Sequence, residues 1–68
     1  MMKLNEVKAA RIKAGYSQED IAKALNVSLA TYNRYENGKA EMTLNNVLKF
    51  CQVCNINDPA ERAYIFLT

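Results

Sequence analysis

Apolar residues recur at helical spacing in five separate runs, each bounded by residues that start or stop a helix. In the first run Leu4, Val7 and Ala14 share a face with the charged Arg11, and Gly15 follows as a stop. The second opens at Ser17, whose hydroxyl can accept from an orphan backbone N–H, and Asp20 completes a Ser-x-x-Asp capping pattern. Ile21, Ala22 and Leu25 then fall on one face, and Ala22 is small enough for a second helix to cross closely. Asn26 tolerates positive φ and suits a sharp turn, under which Val27 can bury. Ser28 caps the third run, Leu29 to Asn37, and Gly38 lies just past its end. Residues 17–39 therefore predict two short helices joined by a tight turn, the grammar of a helix-turn-helix.

The flanking runs predict the rest of the core. Thr43 caps a fourth helix with Leu44, Val47, Leu48, Cys51 and Cys54 on one face. Asn55-Ile56-Asn57 reads as a connector, and Asp58-Pro59-Ala60-Glu61 opens a fifth helix with an N-cap, a proline at the first helical position and a capping-box glutamate. Ala60, Ala63, Tyr64 and Leu67 form the face expected to pack on the core. Ile65 and Phe66 then point elsewhere: either they fold back under an irregular end or they form part of a homodimer interface, which is the expectation taken forward. A strand formed by Tyr64-Ile65-Phe66-Leu67-Thr68 across a dimer ranks below the helix because of the cap at Asp58.

Arg11-Ile12-Lys13-Ala14-Gly15-Tyr16-Ser17-Gln18, Tyr35-Glu36-Asn37-Gly38-Lys39, and Thr43-Leu44 through Val47-Leu48-Lys49-Phe50 stand at spacings that resemble the Cro and phage-repressor type of helix-turn-helix domain. The resemblance spans roughly residues 3 to 56. Asn26 departs from that family's usual glycine, and Tyr32 and Tyr35 stand where smaller aliphatics are common. What the resemblance implies is an all-α, five-helix, lambda-repressor-like domain that binds double-stranded DNA as a transcriptional regulator, a cytoplasmic, nucleoid-associated protein that is bacterial or phage-encoded. It also implies a partner for the charge on the first apolar stripe: a largely buried ion pair between Arg11 and Glu36.

In such folds the second helix of the pair enters the major groove with its N-terminal half toward the bases. Leu29, Ala30, Asn33 and Arg34 become the base-facing set, with Thr31 as an auxiliary contact. Leu29 and Ala30 have no hydrogen bond to offer and suit thymine methyl groups, or simply pack; Arg34 matches guanine O6 and N7, and Asn33 an adenine or a phosphate. Gln18, which opens the second helix, is the phosphate contact that the family uses, beside the free N–H groups of that helix end. Asn37 and Lys39 flank the groove, with Ser17, Ser28 and Thr43 as weaker phosphate candidates. The rings of Tyr32 and Tyr35 belong in the core.

Bulk properties narrow the alternatives. Sixty-eight residues, half of them apolar, make a single domain near the size at which one core is marginal. Without a long apolar run or a signal-peptide core at the start, the expectation is a soluble, intracellular chain with no membrane partner. The net charge of +2 is unevenly spread: seven basic against four acidic residues through Lys39, and two against three beyond it. Cys51-x-x-Cys54 invites a metal or redox reading, but two cysteines and no histidine cannot complete a four-ligand zinc site, so buried free thiols are expected, and no metal or cofactor. No glycine-rich phosphate loop and no spaced nucleophile and base point to an enzyme or a small-molecule substrate. The rival reading is a helix-turn-helix protein-interaction module, such as an antitoxin or antirepressor, whose apolar tail binds a protein.

Overall fold

The computed structural model describes residues 4–66, with side chains from Glu6 onward. The readings of Lys3, of the Leu4 side chain and of Leu67 lie outside the described residues. Five helices follow in order: α1 (Leu4–Ala14), α2 (Gln18–Leu25), α3 (Leu29–Glu36), α4 (Leu44–Val53) and α5 (Pro59–Phe66). No strand occurs among the described residues.

Local chemistry sets these boundaries. Ser17 Oγ accepts from the Asp20 N–H at 3.1 Å while the Asp20 carboxylate accepts from the Ser17 N–H at 3.0 Å, a reciprocal capping box. Those bonds, the backbone one first, hold the Asp20 carboxyl below its ordinary value. Ser28 and Thr43 cap α3 and α4 through Thr31 N and Asn46 N, and the Asp58 carboxylate accepts from Ala60 N at the start of α5. The first four helices all stop in the same way. Just past each last turn a residue turns left-handed: Gly15 (φ 87°), Asn26 (φ 58°), Gly38 (φ 75°) and Asn55 (φ 58°). The N–H of the following residue then reaches back five positions, Tyr16 to Arg11, Val27 to Ala22, Lys39 to Arg34 and Ile56 to Cys51, closing a Schellman turn on carbonyls the helix leaves unpaired.

The core gathers Val7, Ile21, Ala22, Leu25, Tyr32, Tyr35, Met42, Phe50, Cys51, Cys54, Ile56, Ile65 and Phe66. α2 packs on both α3 and α4, and α1 packs on α3. Tyr32 meets Tyr35 and Phe50 meets Phe66 edge to face, with ring centroids 6.3 Å and 5.8 Å apart. Both tyrosine rings are thus core residues.

Two faces differ from their sequence expectations. On α4 the inward stripe is the half-buried Val47 with the buried Phe50, Cys51 and Cys54; Phe50 draws it around the helix, so that Leu44 and Leu48 are left 74% and 46% exposed. On α5 the expected orientation is largely reversed, with Ala63 alone of the expected face half-buried among the described residues. Ile65 and Phe66 are buried in the chain's own core at 3% and 8% exposure, which removes them as an exposed dimer interface, while Ala60 and Tyr64 face outward. The reason is Arg62, half-buried one turn before them. Its Nε donates to the Ile56 carbonyl at 3.0 Å, so a charged residue sits on the inward side with its head satisfied by backbone. Cys51 and Cys54 are free and buried. Burial raises both thiols, Cys54 to about 11 with Cys51 adding to the effect, so neither is a ready thiolate near neutral pH.

Candidate nucleic-acid interface

α3 is two-sided. Tyr32, Tyr35 and Glu36 face inward, and Leu29, Ala30, Asn33 and Arg34 face out. The outward residues join Gln18 from α2 and Asn37 and Lys39 from beyond α3 in lining a shallow concavity of about 600 Å³. Seven of the residues proposed for DNA contact thus share one surface, drawn from both helices and the turn after them. Ser17, Ser28, Thr31 and Thr43 do not line it. The hydroxyls of Ser17, Ser28 and Thr43 accept helix-start N–H groups, and Thr31 Oγ1 accepts from Ser28 Oγ at 2.9 Å. Arg34 Nη2 donates forward to the Lys39 carbonyl at 3.4 Å, and among the described residues neither cation forms an ion pair.

Beneath this surface lies a buried charge cluster centred on Glu36. Arg11 Nε donates to Glu36 Oε2 at 2.6 Å and Arg11 Nη2 to Oε1 at 3.5 Å, one short arm and one long. The Tyr32 hydroxyl donates to the same Oε2 at 2.6 Å, and Gln18 Nε2 donates to Oε1 at 2.9 Å. Arg11 Nη1 also donates to the Tyr16 carbonyl at 2.9 Å, tying α1 to the turn that leads into α2. Burial on its own would raise the Glu36 carboxyl; the bonds from Arg11, Tyr32 and Gln18 together outweigh it and hold the group below its ordinary value. The bond to Glu36 in turn raises Arg11, and burial, with that same carboxylate, pushes the Tyr32 phenol far up. Glu36 is therefore an anion surrounded by donors, and no buried polar side-chain atom among the described residues lacks a partner.

The sequence model of the helix-turn-helix family matches residues 7–59, most of the chain. This protein belongs to the Cro and phage-repressor type of helix-turn-helix family. No curated protein and no solved structure matched the chain. As a helix-turn-helix protein it is a DNA-binding transcription regulator, and α2 and α3 are the packed pair that names the family. Among the described residues no helix is long and apolar enough to cross a membrane.

Sequence reasoning missed the interior bonds of the helix-turn-helix. Tyr32 and Glu36 stand four apart on one helix, a spacing that could have revealed their contact. The sequence places Gln18 only at the surface, yet it also reaches inward to Glu36. Nothing local to Gln18 signals a partner eighteen residues away.

Proposed function

We propose that this chain is a sequence-specific regulator that occupies double-stranded DNA as a homodimer on a palindromic operator, with α3 in the major groove. The observation that carries the proposal is the single concave surface formed by Gln18, Leu29, Ala30, Asn33, Arg34, Asn37 and Lys39. Its chemistry is ordered along α3. Leu29 and Ala30 at the helix start take thymine methyl groups, Asn33 takes an adenine edge, and Arg34 takes guanine O6 and N7. Gln18, at the start of α2, and Asn37 and Lys39, past the end of α3, hold phosphates on either side of the groove. Ser17, Ser28, Thr31 and Thr43 keep hydroxyl lone pairs for minor contacts at the rim.

One helix of eight residues touches few base pairs, so specificity requires two copies on half-sites about 34 to 36 Å apart. The mechanism is occupancy: a bound dimer excludes or recruits polymerase at the site. Ile65 and Phe66 take no part in the dimer, because the core holds them.

Selection from random duplex DNA by the purified protein, at about 0.15 M salt, tests this reading. Enrichment of a palindrome with half-sites one helical turn apart supports it. Uniform recovery of all sequences would reject it.

A further inference from the structure

The exposed amides of the reading surface are joined to the buried ion pair by an unbroken run of side-chain hydrogen bonds. Asn37 Nδ2 donates to Asn33 Oδ1 at 2.8 Å, Asn33 Nδ2 donates to Gln18 Oε1 at 3.4 Å, and Gln18 Nε2 donates to Glu36 Oε1 at 2.9 Å. Every bond points the same way, from the surface inward, with the donor outside and the acceptor inside.

An amide alone has no reason to prefer this direction, since rotating it by half a turn exchanges its oxygen and nitrogen at little steric cost. The inner end supplies the reason. A carboxylate can only accept, so the amide nitrogen of Gln18 must face it and the oxygen must face away. Gln18 oxygen then calls for the Asn33 nitrogen, and the Asn33 oxygen for the Asn37 nitrogen. One buried charge orders three amides. Arg11 and Tyr32 reinforce the arrangement by donating to the same carboxylate, which keeps it ionised and leaves it nothing to donate.

We propose that Glu36 is a positioning residue for base recognition: through Gln18 it sets the polarity of the Asn33 amide and thereby the preference of this surface for adenine at one position of the DNA. The inference rests on the reading of α3 as the groove-facing helix. Each amide keeps part of its capacity for DNA. Asn33 has one N–H and one oxygen lone pair left, in a set order that complements the N7 acceptor and N6–H donor of adenine, whereas guanine sets its O6 acceptor against the amide oxygen. Gln18 has one N–H left for a phosphate. A bidentate amide–adenine pair discriminates by roughly five- to 150-fold, so losing its polarity is measurable.

The test compares affinities for a panel of duplexes, each carrying one base-pair change in the selected operator, among wild type, Asn33→Ala and the double variant Arg11→Met with Glu36→Gln. The double variant removes both buried charges together and strands neither. Its new amide can donate as well as accept, which releases the polarity of the chain. In wild type one position prefers adenine by about fivefold or more, and Asn33→Ala identifies that position by losing the preference. The folded double variant loses it at the same position, to within about twofold, and keeps the preference at the base pair read by Arg34. Retention of the adenine preference in a folded double variant overturns the proposal, as does an Asn33→Ala protein with an unchanged profile. A wild-type protein without any base preference overturns the underlying reading of α3 instead, a separate result. If the double variant does not fold, side-chain amide exchange in wild type decides. Protection of a Gln18 Nε2 proton against solvent supports the anchoring on Glu36, and exchange at the rate of a free glutamine amide overturns it.

Discussion

Tyr32 and Glu36 stand one helical turn apart on α3, and the hydroxyl of the first donates to the carboxylate of the second at 2.6 Å in the interior. Tyr32 is fully buried, so its ring fills the core while its oxygen completes the shell of donors around the anion. Packing and charge satisfaction thus meet in one side chain on the inner face of α3.

Removing that oxygen alone measures its share. Tyr32→Phe keeps the ring and deletes one hydrogen bond to a charged acceptor, so it should destabilise by about 1.5 to 3 kcal/mol in urea unfolding at pH 7. Arg11→Ala strands the carboxylate and should cost about 3 to 5 kcal/mol, comparable to the whole stability of a domain this small. Equal, negligible costs for both would show that the cluster contributes nothing to the fold.

The same cluster predicts the acid behaviour. An unfolded Glu36 takes up its proton near the ordinary value of 4.5, whereas the folded one holds it more weakly. The stabilisation is therefore fully present above about pH 4.5 and is lost as pH falls through the depressed folded value. Tyr32→Phe removes one of the bonds that depress it, so stability should fall less steeply below pH 4.5 in the variant than in wild type. Urea midpoints from pH 7 to about pH 3 check this, and parallel curves would contradict it.

Left-handed turn residues give a local prediction. Asn26→Ala keeps a Cβ at a φ of 58° but removes the short amide that lets asparagine tolerate the left-handed region, and should cost about 1 kcal/mol, while Asn26→Gly should leave thermal stability unchanged or higher. Asn55, at the same φ, should respond in the same order. If alanine and glycine behave alike at Asn26, backbone conformation is not what selects asparagine there.

Base and phosphate roles separate by salt. Arg34→Ala should cost about 1 to 3 kcal/mol on the selected operator and relax the preference at one base pair. Lys39→Ala should weaken all duplexes alike and reduce the salt slope by about one. Affinities on operator and scrambled duplexes, from about 0.05 to 0.2 M salt, distinguish the two. Uniform loss on every sequence for Arg34→Ala would reject its base-reading role.

The helices were legible because their ends are written in short-range chemistry. Ser17, Ser28, Thr43 and Asp58 each accept a backbone N–H within three residues, and Gly15, Asn26 and Gly38 turn where positive φ is needed. Asn55 carries the same turn within a stretch whose sequence predicts only a connector. Which face of a helix turns inward was less legible where a polar residue joins the core. The apolar spacing of Ala60, Ala63, Tyr64 and Leu67 points α5 the other way and leaves Ile65 and Phe66 outside, whereas the bond from Arg62 to the Ile56 carbonyl lets that charged residue sit on the inward side beside them. Met42 was missed because it is buried from the connection between α3 and α4, outside any periodic run. The proposed DNA-facing set rests on α3's position in a helix-turn-helix, and seven of its residues line one concavity. The direction of its amides was not legible, because it depends on Gln18 and Glu36 meeting across the fold.

The central claim, that the outer face of α3 and its flanks are the DNA surface, is tested most directly by following backbone and side-chain amide signals by NMR while a selected operator duplex is added. The account predicts the largest changes at Gln18, Leu29, Ala30, Asn33, Arg34 and Lys39, and much smaller ones with a scrambled duplex. Changes concentrated instead at Leu44, Leu48 and α5, with the α3 surface unaffected, would contradict it.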